Sequence, residues 1–293
     1  MRPTVERSDP FEIRARFERF TTHSLPPPPL TLVLPCRLAP GLDGLVVANR
    51  PGTRPAPRDR VILWFHGGAF VAGSSRSHKA MLARLARATG LEAVLPDYRL
   101  APEHPFPAAV EDARAAFDSL VARGLWPENI VIGGDSAGGN LALGLLAGLL
   151  AERVRPAGAV ALSPATDLTF SGVSILSNEA VDTMLPANRR GDICRYYLAG
   201  ADPADPRASP LKAAFPNPPP VFLQVSTTEI LHDDSRRMAR KLAAAGGRVV
   251  LDEWVDVPHV LALFAPYVPE ANAALARVAG FIGGLWEERP PQA

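Results

Sequence analysis

The chain has 293 residues, 47% of them hydrophobic, and its 31 Lys and Arg against 30 Asp and Glu give a formal net charge of +1. A chain of this size can bury a large core, and its balanced charge argues against a nucleic-acid partner and favours small, nearly neutral ligands. The longest apolar run, residues 141–151, is well short of the roughly 20 residues that span a bilayer. Residues 1–20 lack the apolar segment of a secretory signal. We therefore expect a cytoplasmic protein without a membrane span.

The elements begin with a short amphipathic helix over residues 11–20, which ends at the prolines of 24–30 because proline lacks the helix N–H donor. Further helices are predicted over residues 79–90 and 107–124, each with helical periodicity and a terminal glycine. Strands are predicted over residues 31–37, 44–49, 61–66, 92–97, 129–134, 157–162, 220–226 and 248–255. Continuous apolar strands alternating with helices indicate an α/β fold, a mostly parallel sheet with helices on both faces.

Residues 168–210 interrupt this alternation, since they contain no obvious strand. We expect them to form an insertion that packs with the N-terminal helix as a cap. The predicted organisation is a cap segment at 1–30 and a main domain at 31–293, with the cap insertion near 168–210. The two cysteines, Cys36 and Cys194, lie far apart without metal-ligand spacing, so free thiols are expected, with no metal and no cofactor.

The most informative stretch is "VIGGDSAGGN", residues 131–140, where glycines lie between a predicted strand and a helix. Two phosphate-binding motifs also place glycines there. The spacing from Gly134 to Gly139 matches a Walker motif, but Asn140 and Leu141 replace the required Lys and Ser or Thr. Asp135 breaks the dinucleotide pattern that would start at Gly133. Both phosphate interpretations are therefore disfavoured.

The alternative is a nucleophile elbow, Gly134-x-Ser136-x-Gly138, in which a serine occupies a sharp strand-to-helix turn. The glycines leave space for the turn, and the following helix begins beside any oxyanion that forms. A simple glycine turn explains the same letters, so the prediction depends on an oxyanion loop, an acid and a base elsewhere in the chain, in the order Ser, acid, His.

An oxyanion loop is predicted at "WFHGGAF", residues 64–70, directly after a strand. The candidate donors are the backbone N–H groups of Gly68, Ala69 and Ala137. Loop and elbow support is assigned to Gly67, Gly134 and Gly138, and His66 is expected to be structural.

The acid should follow a later strand, and Glu229 lies just beyond the strand predicted at 220–226. Asp233 and Asp234 compete with it, although acidic residues are also common at a helix start. The base should come last, and His259 lies in a loop before the final helix, whereas His232 lies too close to the acid. We expect Glu229 and His259 to act with Ser136.

Five motifs together, "HGGAF", "DYRLAPEHPFPAAVED", "GDSAGGN", "EILHDD" and "PHV", resemble the bacterial hormone-sensitive-lipase-like esterases of the α/β-hydrolase superfamily, in the GDSAG branch. The resemblance implies an eight-stranded core, a helical cap and hydrolysis of short- to medium-chain acyl esters, and it leaves a homodimer open. By the same resemblance the nucleophile falls on Ser136, the acid on Glu229 and the base on His259. The oxyanion donors fall on Gly68, Ala69 and Ala137.

Two positions depart from the family pattern. Ala69 replaces a third glycine found in many members, and Glu229 replaces the commoner aspartate. The segment at 97–112, with prolines at 102, 105 and 107, is expected to brace the elbow rather than to take part in chemistry.

The predicted function is that of a serine carboxylesterase acting on a small-molecule ester through an acyl-enzyme. A lactonase or amidase of the same fold is the alternative, and a non-catalytic receptor is disfavoured because His259 is retained. Candidate pocket walls are Phe11, Phe17, Phe20, Phe70 and residues 184–197, although aromatic residues at helical spacing more often form cap core.

Overall fold

A computed structural model describes residues 9–50, 59–185, 190–265 and 267–287. Eight strands form one sheet in the order β1-β2-β4-β3-β5-β6-β7-β8. They are β1 (Thr31–Ala39), β2 (Leu42–Asn49), β3 (Val61–Phe65), β4 (Glu92–Pro96), β5 (Ile130–Asp135), β6 (Gly158–Leu162), β7 (Val221–Ser226) and β8 (Val249–Trp254). The six neighbouring strands β4-β3-β5-β6-β7-β8 are parallel, whereas β2 pairs antiparallel with both β1 and β4.

Helices cover both faces of the sheet. The helices of the described residues are α1 (Pro10–Ser24), α2 (Ser75–Thr89), α3 (Ala108–Ala122), α4 (Ala137–Ala151), α5 (Ser174–Ser177), α6 (Arg190–Ile193), α7 (His232–Ala244) and α8 (Pro269–Gly284). The side chains of β3 alternate between two core clusters: Leu63 belongs to the cluster that includes residues of α3, α4 and α7, and Ile62 to the cluster that includes residues of α2 and α8. Since both faces are buried, β3 is apolar throughout.

The predicted α/β fold is confirmed, and each predicted strand differs from the observed one by at most two residues at either end. The helix predicted from residue 79 begins four residues earlier, at Ser75. Its start is fixed by Ser74, whose side chain accepts the N–H groups of Arg76 and Ser77 while Ser77 reaches back to Ser74. Such a capping box stabilises a helix end without any apolar periodicity, which is why periodicity placed the start too late.

The segment predicted as an insertion holds only short helical pieces in its described part: α5, α6, a π turn at Cys194–Leu198 and a 3₁₀ turn at Pro210–Lys212. Cys36 is a half-buried free thiol, and burial raises its pKa. The side chain of Cys194 lies outside the described residues. In the described part of the chain, no helix is both long and apolar enough to cross a membrane.

Candidate active site

Ser136 lies between β5 and α4 in a strained backbone conformation, with φ 54° and ψ −119°. The turn brings backbone so close that a side chain on Gly134 would collide with the Gly138 carbonyl, and one on Gly138 with that of Phe65. Only glycine fits at these two positions, as the elbow predicts. The Ser136 N–H donates to the Leu162 carbonyl at 2.8 Å, which anchors the turn to β6.

The loop after β3 has three consecutive residues with positive φ: Gly68 at 123°, Ala69 at 55° and Phe70 at 62°. The Gly68 carbonyl accepts the N–H groups of Val71 and Ala72 at 3.0 and 2.9 Å, which closes the loop. Within the described part of the chain, the N–H groups of Gly68 and Ala69 donate to no backbone carbonyl. The loop therefore keeps two donors available.

Ala137 is the first residue of α4, and this helix start has no side-chain cap. Its free N–H groups and the positive end of the helix dipole favour a negative charge beside Ser136. Ala69 and Ala137 line the same cavity as Ser136. The three predicted donors thus lie on two elements that meet at the serine.

The buried carboxylate of Asp135 connects the elbow to this loop. It accepts the Trp64 indole N–H at 2.9 Å and the Gly67 N–H at 3.0 Å, and it lies 3.1 Å from His78 Nε2. Burial raises the pKa of Asp135, but the charge and hydrogen bond of His78 outweigh burial and hold that pKa below its usual value. Asp135 is therefore ionised, and a side chain on Gly67 would collide with it.

His66 supports the loop from below, as expected. Burial and the neighbouring His78 lower the pKa of His66 to about 3, so its ring is neutral and its Nδ1 pairs with the Gly67 carbonyl at 2.9 Å. The Tyr98 hydroxyl donates to the His66 carbonyl at 2.7 Å, and the two rings stack with centroids 4.2 Å apart.

The rest of the segment at 97–112 is occupied with structural contacts. Asp112 accepts Arg99 through both carboxylate oxygens, and Glu103 pairs with Arg14 of α1 at 2.7 Å. Asp97 accepts the N–H and hydroxyl of Ser75 at the start of α2. These contacts join α1, α2 and the loop before α3.

Glu229 is buried directly after β7, and its Oε2 lies 2.5 Å from Nδ1 of His259. Its Oε1 accepts the Ser226 N–H at 2.7 Å and the Ser163 hydroxyl at 2.8 Å. Burial lowers the pKa of His259, but the charge and hydrogen bond of Glu229 outweigh burial, so the pKa lies above its usual value. Asp182 and Asp135 act in the same direction.

The competing acids and the other histidine have different partners. Asp234 accepts the N–H groups of Thr166 and Asp167 and the guanidinium of Arg237. Burial raises its pKa to about 6 despite that guanidinium. Asp233 accepts the Ser174 N–H at 2.9 Å. His232 pairs with Glu253 at 2.6 Å.

Ser136 opens on an apolar cavity of about 200 Å³. Its walls come from α1 through Pro10 and Ile13, and from the segment predicted as an insertion through Phe170, Leu185, Asp192, Ile193 and Tyr196. The body contributes Phe70, Ile230 and Leu231, among others. Phe70, a candidate pocket wall from the sequence, thus lines the cavity. Its ring stacks on that of Tyr197, with ring centroids 3.7 Å apart.

The aromatic residues of α1 do not line this cavity. Phe11 and Phe20 are 49% and 46% exposed, and Phe17 packs against His78. Among the described residues, no group of three His, Cys, Asp or Glu side chains is placed to hold a metal ion.

Three contributors to the site were missed from the sequence. Asn140 donates to the carbonyls of Ala165 and Ala208, both at 2.7 Å, and so connects α4 to the residues on either side of 168–207. Ser163 binds Glu229 and accepts the Val260 N–H at 3.2 Å. Asp182 accepts the Ile230 N–H at 2.8 Å. Asn140 ends the quoted motif GDSAGGN, but the motif assigned it no role, and Ser163 and Asp182 lie in no motif with a known spacing.

Comparison with known proteins shows which family has this architecture. Residues 62–263 match a family model described by its α/β-hydrolase fold. A crystal structure of an esterase from the bacterial hormone-sensitive lipase family superposes with a TM-score of 0.91 at 38% identity, covering 97% of this chain and 94% of that one. The chain belongs to this family of α/β hydrolases. The predicted fold and family are confirmed.

Two curated relatives are also similar to this α/β hydrolase. An acetyl-hydrolase from Streptomyces hygroscopicus is 38% identical over 231 residues, which cover 78% of this chain and 77% of the relative. An esterase from Acinetobacter venetianus is 35% identical over 262 residues, 89% and 84% of the two chains.

Proposed function

We propose that this α/β hydrolase is a serine carboxylesterase that cleaves short- to medium-chain acyl esters with Ser136 as nucleophile, His259 as base and Glu229 as acid. The observation that carries the proposal is the buried 2.5 Å contact between Glu229 and His259. Relatives named acetyl-hydrolase and esterase support the same activity class.

A short chain of contacts supports the grouping of the three residues. The Ser136 N–H donates to the Leu162 carbonyl at the end of β6. Ser163, which follows Leu162, donates its hydroxyl to Glu229 and accepts the N–H of Val260. Val260 directly follows His259, so the end of β6 ties the serine turn, the acid and the histidine loop together.

The reaction runs in two steps. His259 Nε2 takes the Ser136 proton while Oγ bonds to the ester carbonyl carbon, and the carbonyl oxygen becomes an oxyanion bound by the N–H groups of Gly68, Ala69 and Ala137. The oxyanion collapses, the ester C–O bond breaks, and the proton on His259 passes to the leaving alcohol. Water then attacks the acyl-enzyme in the same two steps, with His259 as base, and the carboxylic acid product is released from Ser136. Glu229 keeps the imidazole oriented and stabilises its charged form.

The cavity suggests the substrate class. Its walls are mainly aliphatic and aromatic, and Asp192, which pairs with Arg195 at 3.1 Å, is its one charged group among the described residues. A neutral acyl chain of a few carbons fits an apolar space of about 200 Å³.

A series of p-nitrophenyl esters from acetate to palmitate tests the proposal, with a butyrolactone and a butyranilide beside it. We expect kcat/KM to be highest for acetate to hexanoate, and Ser136→Ala and His259→Ala to lose at least about 10³-fold. Full turnover by either variant would refute the mechanism. Preference for the lactone or anilide would instead assign the same residues to a lactonase or an amidase.

A further inference from the structure

The loop that carries Glu229 is held by the capping insertion. We call residues 227–231 the acid loop. The Asn178 side chain, just after α5, donates from Nδ2 to the carbonyls of Thr227 and Glu229, both at 2.8 Å. An amide NH₂ group has two hydrogens, so one side chain satisfies both carbonyls at once. The backbone on each side of Thr228 is thereby fixed.

Asn178 is itself held in place by its own turn. Its N–H donates to the Ser174 carbonyl at 3.0 Å, and its carbonyl accepts the N–H groups of Val181 and Asp182 at 3.0 and 2.8 Å. Its Oδ1 accepts the Ser177 hydroxyl at 3.2 Å. The amide is therefore presented to the acid loop from a fixed backbone.

Two neighbouring residues grip the next position of the acid loop. The Ser174 hydroxyl donates to the Ile230 carbonyl at 2.7 Å, and the buried Asp182 carboxylate accepts the Ile230 N–H at 2.8 Å. Asp182 also accepts the N–H groups of Met184 and Leu185. These residues thus hold the acid loop by four hydrogen bonds, to Thr227, Glu229 and Ile230, and only one of them, from Asn178, reaches Glu229 itself.

We propose that Asn178 is a positioning residue for Glu229. The inference rests on the proposed function, since it assumes that Glu229 is the acid. The carboxylate has to meet Ser226, Ser163 and His259 at once, so a small shift of its backbone breaks the short contact with the imidazole. A displacement of about 1 Å can cost on the order of 100-fold in rate. Asn178 is absent from the residues that line the cavity, and Ile230, which does line it, keeps its own contacts with Ser174 and Asp182, so we expect the effect of Asn178 to fall on chemistry rather than on substrate binding.

A double-mutant cycle tests this directly. Asn178→Ala should lower kcat by about 10- to 100-fold for acetate, butyrate and hexanoate esters alike, with KM changed by less than about 2-fold. In a Glu229→Ala background, Asn178→Ala should cause no further loss, because the group that it positions is gone. Leu176→Ala is the matched control, since Leu176 lies on the same short helix and is 67% exposed. Ser136→Ala sets the background rate.

The inference is overturned if the two losses multiply, if the change appears in KM, or if Asn178→Ala behaves like Leu176→Ala. If Glu229→Ala keeps full activity, the proposed function itself fails, which is a separate outcome. Thermal unfolding checks each variant. Should Asn178→Ala not fold, Asn178→Asp, which keeps the shape but has no donor, and Asn178→Gln, which keeps both donors, take its place: a kcat equal in these two would also overturn the inference.

Discussion

Replacing Glu229 with glutamine changes one atom of the acid and gives the clearest prediction. Oε1 accepts the Ser226 N–H and the Ser163 hydroxyl, and a glutamine can keep its oxygen there. Its NH₂ group then faces His259 Nδ1, where Oε2 was 2.5 Å away, and donates to that nitrogen. The neutral imidazole must then carry its proton on Nε2, the atom that has to accept the proton of Ser136.

The magnitude follows from this reversed tautomer. The same change in a serine protease triad costs about 10⁴-fold in kcat, or about 5 kcal/mol of transition-state stabilisation. Stability should change by less than about 2 kcal/mol, because both hydrogen bonds to Oε1 are kept and the contact with His259 is reversed rather than lost.

Initial rates with p-nitrophenyl butyrate and urea unfolding measure the two effects. Glu253→Gln is the matched control, because Glu253 forms a second carboxylate–histidine pair, with His232, outside the cavity. Glu253→Gln should change kcat by less than about 2-fold, because the pair lies outside the cavity and an exposed ion pair contributes little to stability. A Glu229→Gln variant that folds and keeps more than about a tenth of the parent kcat would refute the reasoning.

Two further predictions concern charge. Glu229, Asp182 and Asp135 together hold the pKa of His259 above 6.5 against the effect of burial. Because only the neutral ring accepts a proton, kcat/KM should rise with pH through an inflection above 6.5. An inflection below that value would contradict the assignment of His259 as the base. Asp135→Asn should lower the free energy of unfolding, measured in urea, by about 3–5 kcal/mol, because an amide has only one acceptor oxygen: its NH₂ group must face either the Trp64 N–H or the Gly67 N–H, and that buried donor loses its partner. A loss below about 1 kcal/mol would show that the carboxylate is not needed to hold the loop.

Much of the fold could be predicted from the sequence because each strand is an apolar run with clear ends. The strand β3 is buried on both faces, so every residue in it is apolar, and a continuous run is itself the signal. The start of α2 could not be placed from periodicity, since it depends on the hydrogen bonds of Ser74 and Ser77. Local polar contacts of this kind leave little trace in hydrophobic patterning.

The candidate site divides in the same way. Ser136 and the loop at 64–70 stand in motifs whose glycines are required by close backbone approach, so they are visible in the sequence. Glu229 could be ranked above Asp234 only by position along the chain, and the structure supplies the contacts that separate them. Asn178 and Ser163 act through backbone groups that are remote in sequence. No spacing rule reveals such residues.

The central claim is that Ser136 attacks the ester, and covalent labelling tests it most directly. The intact enzyme is treated with diethyl p-nitrophenyl phosphate, and the modified peptide is located by mass spectrometry while esterase activity is followed. We predict one diethylphosphoryl group per chain, on Ser136, gained in step with the loss of activity and absent from Ser136→Ala. Complete inactivation with the label on another residue, or full labelling of Ser136 with activity retained, would contradict the account.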